Sequence, residues 1–194
     1  MRLPEDAPGI TATEELFRYD IFGLPAELGQ WSKDPSLFRL QVEGCVERES
    51  TFGLRELRDR FDSVKAETVL QCMTRVHWGR VLVRGARLWE VLQACGVQRQ
   101  AEKIAFRGAE GFSTDLFLRE VAAEPERFLL VYEMNGEPLT GEHGFPLRVA
   151  AIGKYAYKWC KWLTAINVLD YDFKGHYEGS RGWSDLATRG ARVV

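Results

Sequence analysis

Phe128-Leu129-Leu130-Val131-Tyr132-Glu133-Met134-Asn135-Gly136-Glu137-Pro138-Leu139 opens as an apolar run of strand length and breaks at Asn135-Gly136. Both central positions of a two-residue hairpin turn take positive φ, which Asn and Gly tolerate best, so this pair predicts a hairpin directly after the strand. Further strands are expected on either side. Phe38-Arg39-Leu40-Gln41-Val42 alternates apolar and polar, the period of a half-buried strand. Glu67 to Cys72, Lys103 to Phe106, Thr114 to Leu118, Pro146 to Ile152 and Trp162 to Leu169 also read as strands. Two helices interrupt them. Leu54, Leu57 and Phe61 lie at helical spacing within residues 51–61. Leu88 to Cys95 is a second helix, closed by Gly96 as a C-cap. Residues 1–36, rich in Pro, Gly and Asp, are expected to wrap irregularly over the surface, and the tail from Asp170 to fold back over the domain. The sum is one α+β domain spanning 1–194, sheet-rich with a few short helices.

Composition narrows the partners. A net charge of −2 lacks the global basic field of a nucleic-acid binder. No run approaches the roughly 18 apolar residues of a membrane-spanning helix. The N-terminal stretch MRLPEDAPGITATEE has no apolar core of a secretory signal, which predicts a cytoplasmic protein. Local signatures of common chemistry are missing: no GxGxxG after a strand, no Walker loop, no HExxH and no GxSxG. Cys45, Cys72, Cys95 and Cys160 are far apart, and His77, His143 and His176 have no ligand spacing. A cysteine with a chemical role here must therefore supply a single sulfur.

Cys72 is the candidate. It stands where a strand gives way to Met73-Thr74-Arg75-Val76-His77-Trp78-Gly79-Arg80, and positive neighbours favour the thiolate that ligates metals or attacks electrophiles. The other reading is a buried structural cysteine. A second candidate region brings His143 and Arg148 to the mouth of a strand, followed by Lys154, Lys158 and Lys161 among aromatics. Converging cations suit a phosphate or pyrophosphate. The alternative is a solvated basic face whose aromatics pack inward.

These segments together resemble the molybdopterin-binding domain of the sulfite oxidase family. Leu129 to Leu139 followed by His143-Gly144-Phe145-Pro146-Leu147-Arg148-Val149 resembles the family's "LLAYEMNGxPLxxxHGFPxRV". Tyr155-Ala156-Tyr157-Lys158-Trp159-Cys160-Lys161-Trp162-Leu163 resembles "YxxKxxKWL". Leu70-Gln71-Cys72 matches the strand-end cysteine, and Gly85 to Leu92 the helix start "GVPLxxLL". The resemblance runs from about Leu37 to Trp183. It is to the compact bacterial type, without haem or dimerisation domain. It implies a molybdenum centre held by one pyranopterin and by the Cys72 thiolate, and two-electron oxygen-atom transfer restored by one-electron steps. It assigns the pterin and its phosphate to His143, Arg148 and Lys161, with Lys158 and Asp20 as further cofactor contacts. A small-molecule substrate and a separate electron-transfer partner follow from it.

Departures from the family pattern bear on the substrate. Sulfite-oxidising members carry a tyrosine just before the "SxPL" strand, where this chain has Phe112. They also place arginines after the cysteine in "CAGNRR", where this chain has Arg75 at a shifted position and His77. The expectation is an oxygen-atom-transfer enzyme other than a sulfite oxidase, with Arg75, His77 and Phe112 beside Cys72. A degenerate pterin-binding or scaffolding module, and a thiol enzyme pairing Cys72 with His77 or His143, are the alternatives.

Overall fold

The computed structural model describes residues 9–194, which build two sheets around one core. The elements in chain order are α1 (Leu28–Lys33), β1 (Leu40–Gly44), β2 (Ser50–Phe52), α2 (Leu54–Arg60), β3 (Ser63–Gln71), β4 (Trp78–Arg87) and α3 (Leu88–Cys95). They continue with β5 (Lys103–Gly108), β6 (Ser113–Phe117), α4 (Leu118–Ala123), β7 (Phe128–Met134), β8 (Glu137–Pro138), β9 (Arg148–Ala151), β10 (Leu163–Leu169) and α5 (His176–Arg181). The first sheet runs β2-β1-β10-β5-β6. Its β1–β10 pair is parallel, with Val42 opposite Ile166, and the rest are antiparallel. The second runs β3-β4-β7, and the far edge of β7 is shared by β9 along Phe128 to Val131 and by β8 at Glu133 and Met134.

One apolar core joins the sheets. Leu40, Val42, Phe106 and Ile166 from the first face Val81, Val83, Leu130 and Val149 from the second, all fully buried. Each such side chain contributes about 1.5–3 kcal/mol by leaving water. The expected hairpin forms: Asn135 and Gly136 take φ of 56° and 89°, and Met134 pairs with Glu137. Leu57 anchors α2 in the core, and Gly96, in the left-handed region, ends α3.

Three elements depart from the expectations. Residues 9–36 do not only wrap irregularly, because α1 forms where Trp31 is buried edge-on against Phe38 at 5.6 Å. A six-residue helix is too short to show a period in sequence; the tertiary contact holds it. Residues 1–8 of that expected wrap lie outside the described residues. Trp78 to Arg87, where the sequence predicts no element, is the longest strand among the described residues. Its two glycines, Gly79 and Gly85, weaken strand propensity, and pairing on both edges overrides that. Leu118 belongs to α4 rather than to the strand before it.

The tail folds back as expected. Tyr155 N–H donates to the Ala187 carbonyl at 2.8 Å, and Arg189 N–H to that of Gly153 at 2.8 Å. Beneath it lies a buried ionic cluster. Lys158 Nζ donates to Asp115 Oδ1 at 2.9 Å and to Glu178 on α5, Lys103 pairs with the same aspartate, and Thr114 Oγ1 donates to Glu178 at 2.8 Å. Lys154 pairs with Glu120 at 2.9 Å and donates to the Leu186 carbonyl at 2.7 Å. Lysines enter a core only with such partners. The basic stretch is therefore not one solvated face.

Candidate functional site

Cys72 follows β3 and opens the short loop to β4. Its N–H donates to the His77 carbonyl at 2.8 Å, and its carbonyl accepts from Arg75 N–H at 2.9 Å. Arg75 at the loop tip has φ of 63°, which costs a non-glycine residue about 1–3 kcal/mol. Its side chain offsets this by donating to the Tyr155 hydroxyl at 3.0 Å and to the carbonyls of Gly190 and Ala191 at 3.2 and 3.1 Å. The loop is thus tied to the C-terminal tail, and the sulfur of Cys72 is left on the wall of a cavity of about 270 Å³.

A polar cluster stands on another wall of that cavity, from the loop before β9 and the stretch before β10. Arg148 is buried, and its terminal nitrogens donate to the carbonyls of His143 at 3.0 Å and Trp159 at 3.3 Å. No carboxylate pairs with it among the described residues. Burial pushes its pKa down to about 10, so it remains a cation. Burial, then Arg148 and Lys161, push His143 down to about 4, leaving a neutral imidazole whose Nδ1 lies 2.8 Å from Thr140 Oγ1. Lys161 pairs with Asp20, donates to the Glu142 carbonyl at 2.9 Å and sits 4.1 Å from the Trp162 ring centre. Burial lowers its pKa as well. Glu110 lines the same space, and burial raises its carboxyl to about 7.

His143 Nε2, Arg148 Nε and Glu110 Oε2 are buried without a hydrogen-bond partner. Buried polar atoms are normally satisfied, and each orphan costs about 1–3 kcal/mol. Three around one cavity, with an uncompensated guanidinium, describe a surface shaped for a polar, anionic molecule.

The remaining walls are aromatic. Tyr177 stacks on Trp183 with centroids 4.2 Å apart and planes at 12°, and Tyr157 meets Trp183 edge-on at 5.0 Å. Phe112 lies beside Tyr177 at 5.9 Å. The N-terminal segment around Tyr19 closes another side, held by the Arg18–Glu142 and Asp20–Lys161 pairs.

The residues singled out in the sequence therefore separate. Cys72, His143, Arg148, Lys161 and Phe112 line the cavity, and Asp20 reaches it through Lys161. Lys158 does not line it, being consumed by Asp115 and Glu178. Arg75 is turned to the tail, and His77 lies behind Tyr19, its Nδ1 3.1 Å from that hydroxyl. Neither His77 nor His143 therefore offers its Nδ1 to the sulfur. Cys45 and Cys160 have thiols raised by burial, and Cys95 is buried. Sequence reasoning missed Glu110, Tyr19 and the Tyr177–Trp183 stack. Only the tail's aromatic content hinted at the last.

The family model described as oxidoreductase molybdopterin binding domain matches residues 28–177. The chain belongs to that family. It is similar to the uncharacterized oxidoreductase YuiH of Bacillus subtilis (strain 168), at 32% identity over 75% of this chain and 72% of that protein. It is also similar to a nitrate reductase [NAD(P)H] of Hordeum vulgare, at 34% identity over 74% of this chain but only 19% of the longer enzyme. In structure it matches the sulfane dehydrogenase SoxCD from Paracoccus pantotrophus, with a TM-score of 0.66 and 21% identity over 78% of this chain and 41% of that one. The expected sheet-rich fold and the molybdopterin-dependent oxidoreductase assignment both stand. Among the described residues no helix is long and apolar enough to cross a membrane.

The cavity fits the cofactor that defines the family. Arg148, His143 and Lys161 present cationic and neutral donors on one wall, and a soft sulfur stands on another. Among the described residues no group of three or more His, Cys, Asp or Glu side chains is gathered to hold a metal. A metal bound at Cys72 would draw its other ligands from the pterin dithiolene and solvent.

Proposed function

We propose that this domain binds a molybdenum-pyranopterin cofactor through the Cys72 thiolate and catalyses oxygen-atom transfer on a small, weakly charged substrate such as a sulfoxide or an N-oxide. The observation that carries the reading is the single cavity shared by Cys72 and the orphaned donors of His143 and Arg148. When bound, the molybdenum centre supplies the two-electron chemistry and the oxygen-accepting site. The protein supplies the rest. Arg148 and Lys161 would hold the phosphate, Lys161 by giving up its pairing with Asp20. His143, kept neutral by burial beside two cations, hydrogen-bonds the pterin without adding charge.

Substrate selectivity rests on charge and shape. A dianion such as sulfite needs several converged donors near the metal. Phe112 brings no hydroxyl, and the Arg75 guanidinium is committed to Tyr155 and the tail. Phe112, Tyr177 and Trp183 instead offer an aromatic wall that suits an organic sulfoxide or N-oxide. Reducing either takes up two electrons and two protons and releases water. Glu110, near half-protonated at neutral pH, holds a proton at the cavity wall. The electrons come from a separate donor protein, which this reading requires.

Elemental analysis for molybdenum and pterin fluorescence after acid oxidation test the assignment. One molybdenum per chain in the wild type, and its loss from a Cys72→Ser protein that still folds, is the expected result. A Cys72→Ser protein with full molybdenum content and activity overturns it.

A further inference from the structure

Tyr19 has no place in the cofactor cradle described above, yet it faces the same cavity as Cys72. Its ring packs edge-on against His77 with centroids 6.0 Å apart and lies tilted against Phe17 at 5.7 Å, and Phe17 is tilted against His77 at 6.1 Å. The three rings form a closed cluster that directs the phenol although the residue is 49% exposed. Its hydroxyl lies 3.1 Å from His77 Nδ1. His77 in turn accepts the Cys72 N–H at its carbonyl at 2.8 Å, so the phenol is tied through one residue to the loop that carries the sulfur, and Tyr19 and Cys72 line the same cavity. Other hydroxyls near the cavity are less suited. Tyr157 O–H is donated to the Ser184 carbonyl at 2.7 Å, and Tyr177 is stacked on Trp183 as part of the apolar wall.

We infer that Tyr19 supplies the hydroxyl that binds the substrate oxygen beside Cys72, and that His77 is its positioning residue. This rests on the sulfoxide or N-oxide reading and deepens it. With His77 Nδ1–H donating to the phenol oxygen, the phenol O–H is released to point into the cavity. The oxygen of a sulfoxide or N-oxide accepts hydrogen bonds and donates none, so one neutral donor matches it without the cations a dianion needs. The hydroxyl missing at Phe112 is thereby replaced from a different segment of the chain.

The test uses molybdenum-loaded protein with methyl phenyl sulfoxide and trimethylamine N-oxide as probes. Binding is read from quenching of Trp159 and Trp183, which line the cavity, and turnover from oxidation of reduced methyl viologen. Tyr19→Phe is expected to raise Kd and KM by about three- to tenfold, with molybdenum content unchanged and kcat altered less. His77→Leu should follow it, and His77→Gln, whose amide can still donate, should restore most of the loss. Equal Kd in wild type and Tyr19→Phe overturns this inference alone, as does loss of molybdenum from Tyr19→Phe. Molybdenum-loaded wild type that neither binds nor reduces either probe overturns the functional reading and this inference with it.

Discussion

Replacing Lys158 with Met removes a fully buried cation of similar length. Its two acceptors fare differently. Asp115 keeps Lys103 as partner, while Glu178 keeps only the Thr114 hydroxyl, and its Oε2 is already without a partner. Removing one member of a buried ion pair costs about 3–5 kcal/mol, mainly by stranding the opposite charge. Retention of Lys103 places this case near the lower figure, about 3 kcal/mol. For a chain of this size each kcal/mol shifts Tm by roughly 2–4 °C, so a fall of about 6–12 °C is expected. Urea denaturation of the cofactor-free protein measures it without interference from cofactor occupancy. Adding Glu178→Leu, which removes the stranded carboxylate, should recover part of the loss. A change below about 1 kcal/mol in the cofactor-free protein, with loss of cofactor instead, refutes the reasoning and puts Lys158 back in the cradle.

Arg148→Ala and Lys161→Ala should each lower cofactor occupancy by about tenfold or more, since a charge-assisted bond contributes about 1.5–3 kcal/mol; pterin released by acid oxidation measures it, and unchanged content shows that neither holds the phosphate. Phe112→Tyr should raise sulfite turnover by about tenfold, and a dye-linked assay showing no gain excludes this position as the discriminating one. Glu110 gives a pH signature. Burial raises its carboxyl from 4.5 to about 7, so the folded protein keeps a proton that the unfolded chain releases. The stability this contributes is present below about 4.5 and lost as pH rises to about 7. Thermal melts of cofactor-free wild type should show that decline, and Glu110→Gln should lack it; identical slopes in the two proteins refute the shifted carboxyl.

Local patterns carried the sheet framework wherever one residue pair or period sufficed. Asn135-Gly136 sets its own backbone, and Leu54 with Leu57 needs only a helix to share a face. Trp78 to Arg87 was not readable that way, because its strand conformation comes from pairing with β3 and β7 rather than from its own residues. The same limit applied to α1, which Trp31 holds through Phe38.

By itself the sequence determined the family, the strand-end sulfur at Cys72 and the His143–Arg148 loop, because these lie in contiguous motifs. The destination of each charge was decided only by the tertiary structure. Lys158 and Lys161 are three residues apart, yet one is consumed in a buried ion-pair cluster and the other reaches the cavity. Arg75 stands three residues from Cys72 and is drawn instead to a carbonyl 115 positions away. Tyr19, far from Cys72 in the chain, lines the same cavity. A side chain's role in a site depends on which partner offers the lower free energy once the chain has folded, and those partners come from segments that no local pattern connects.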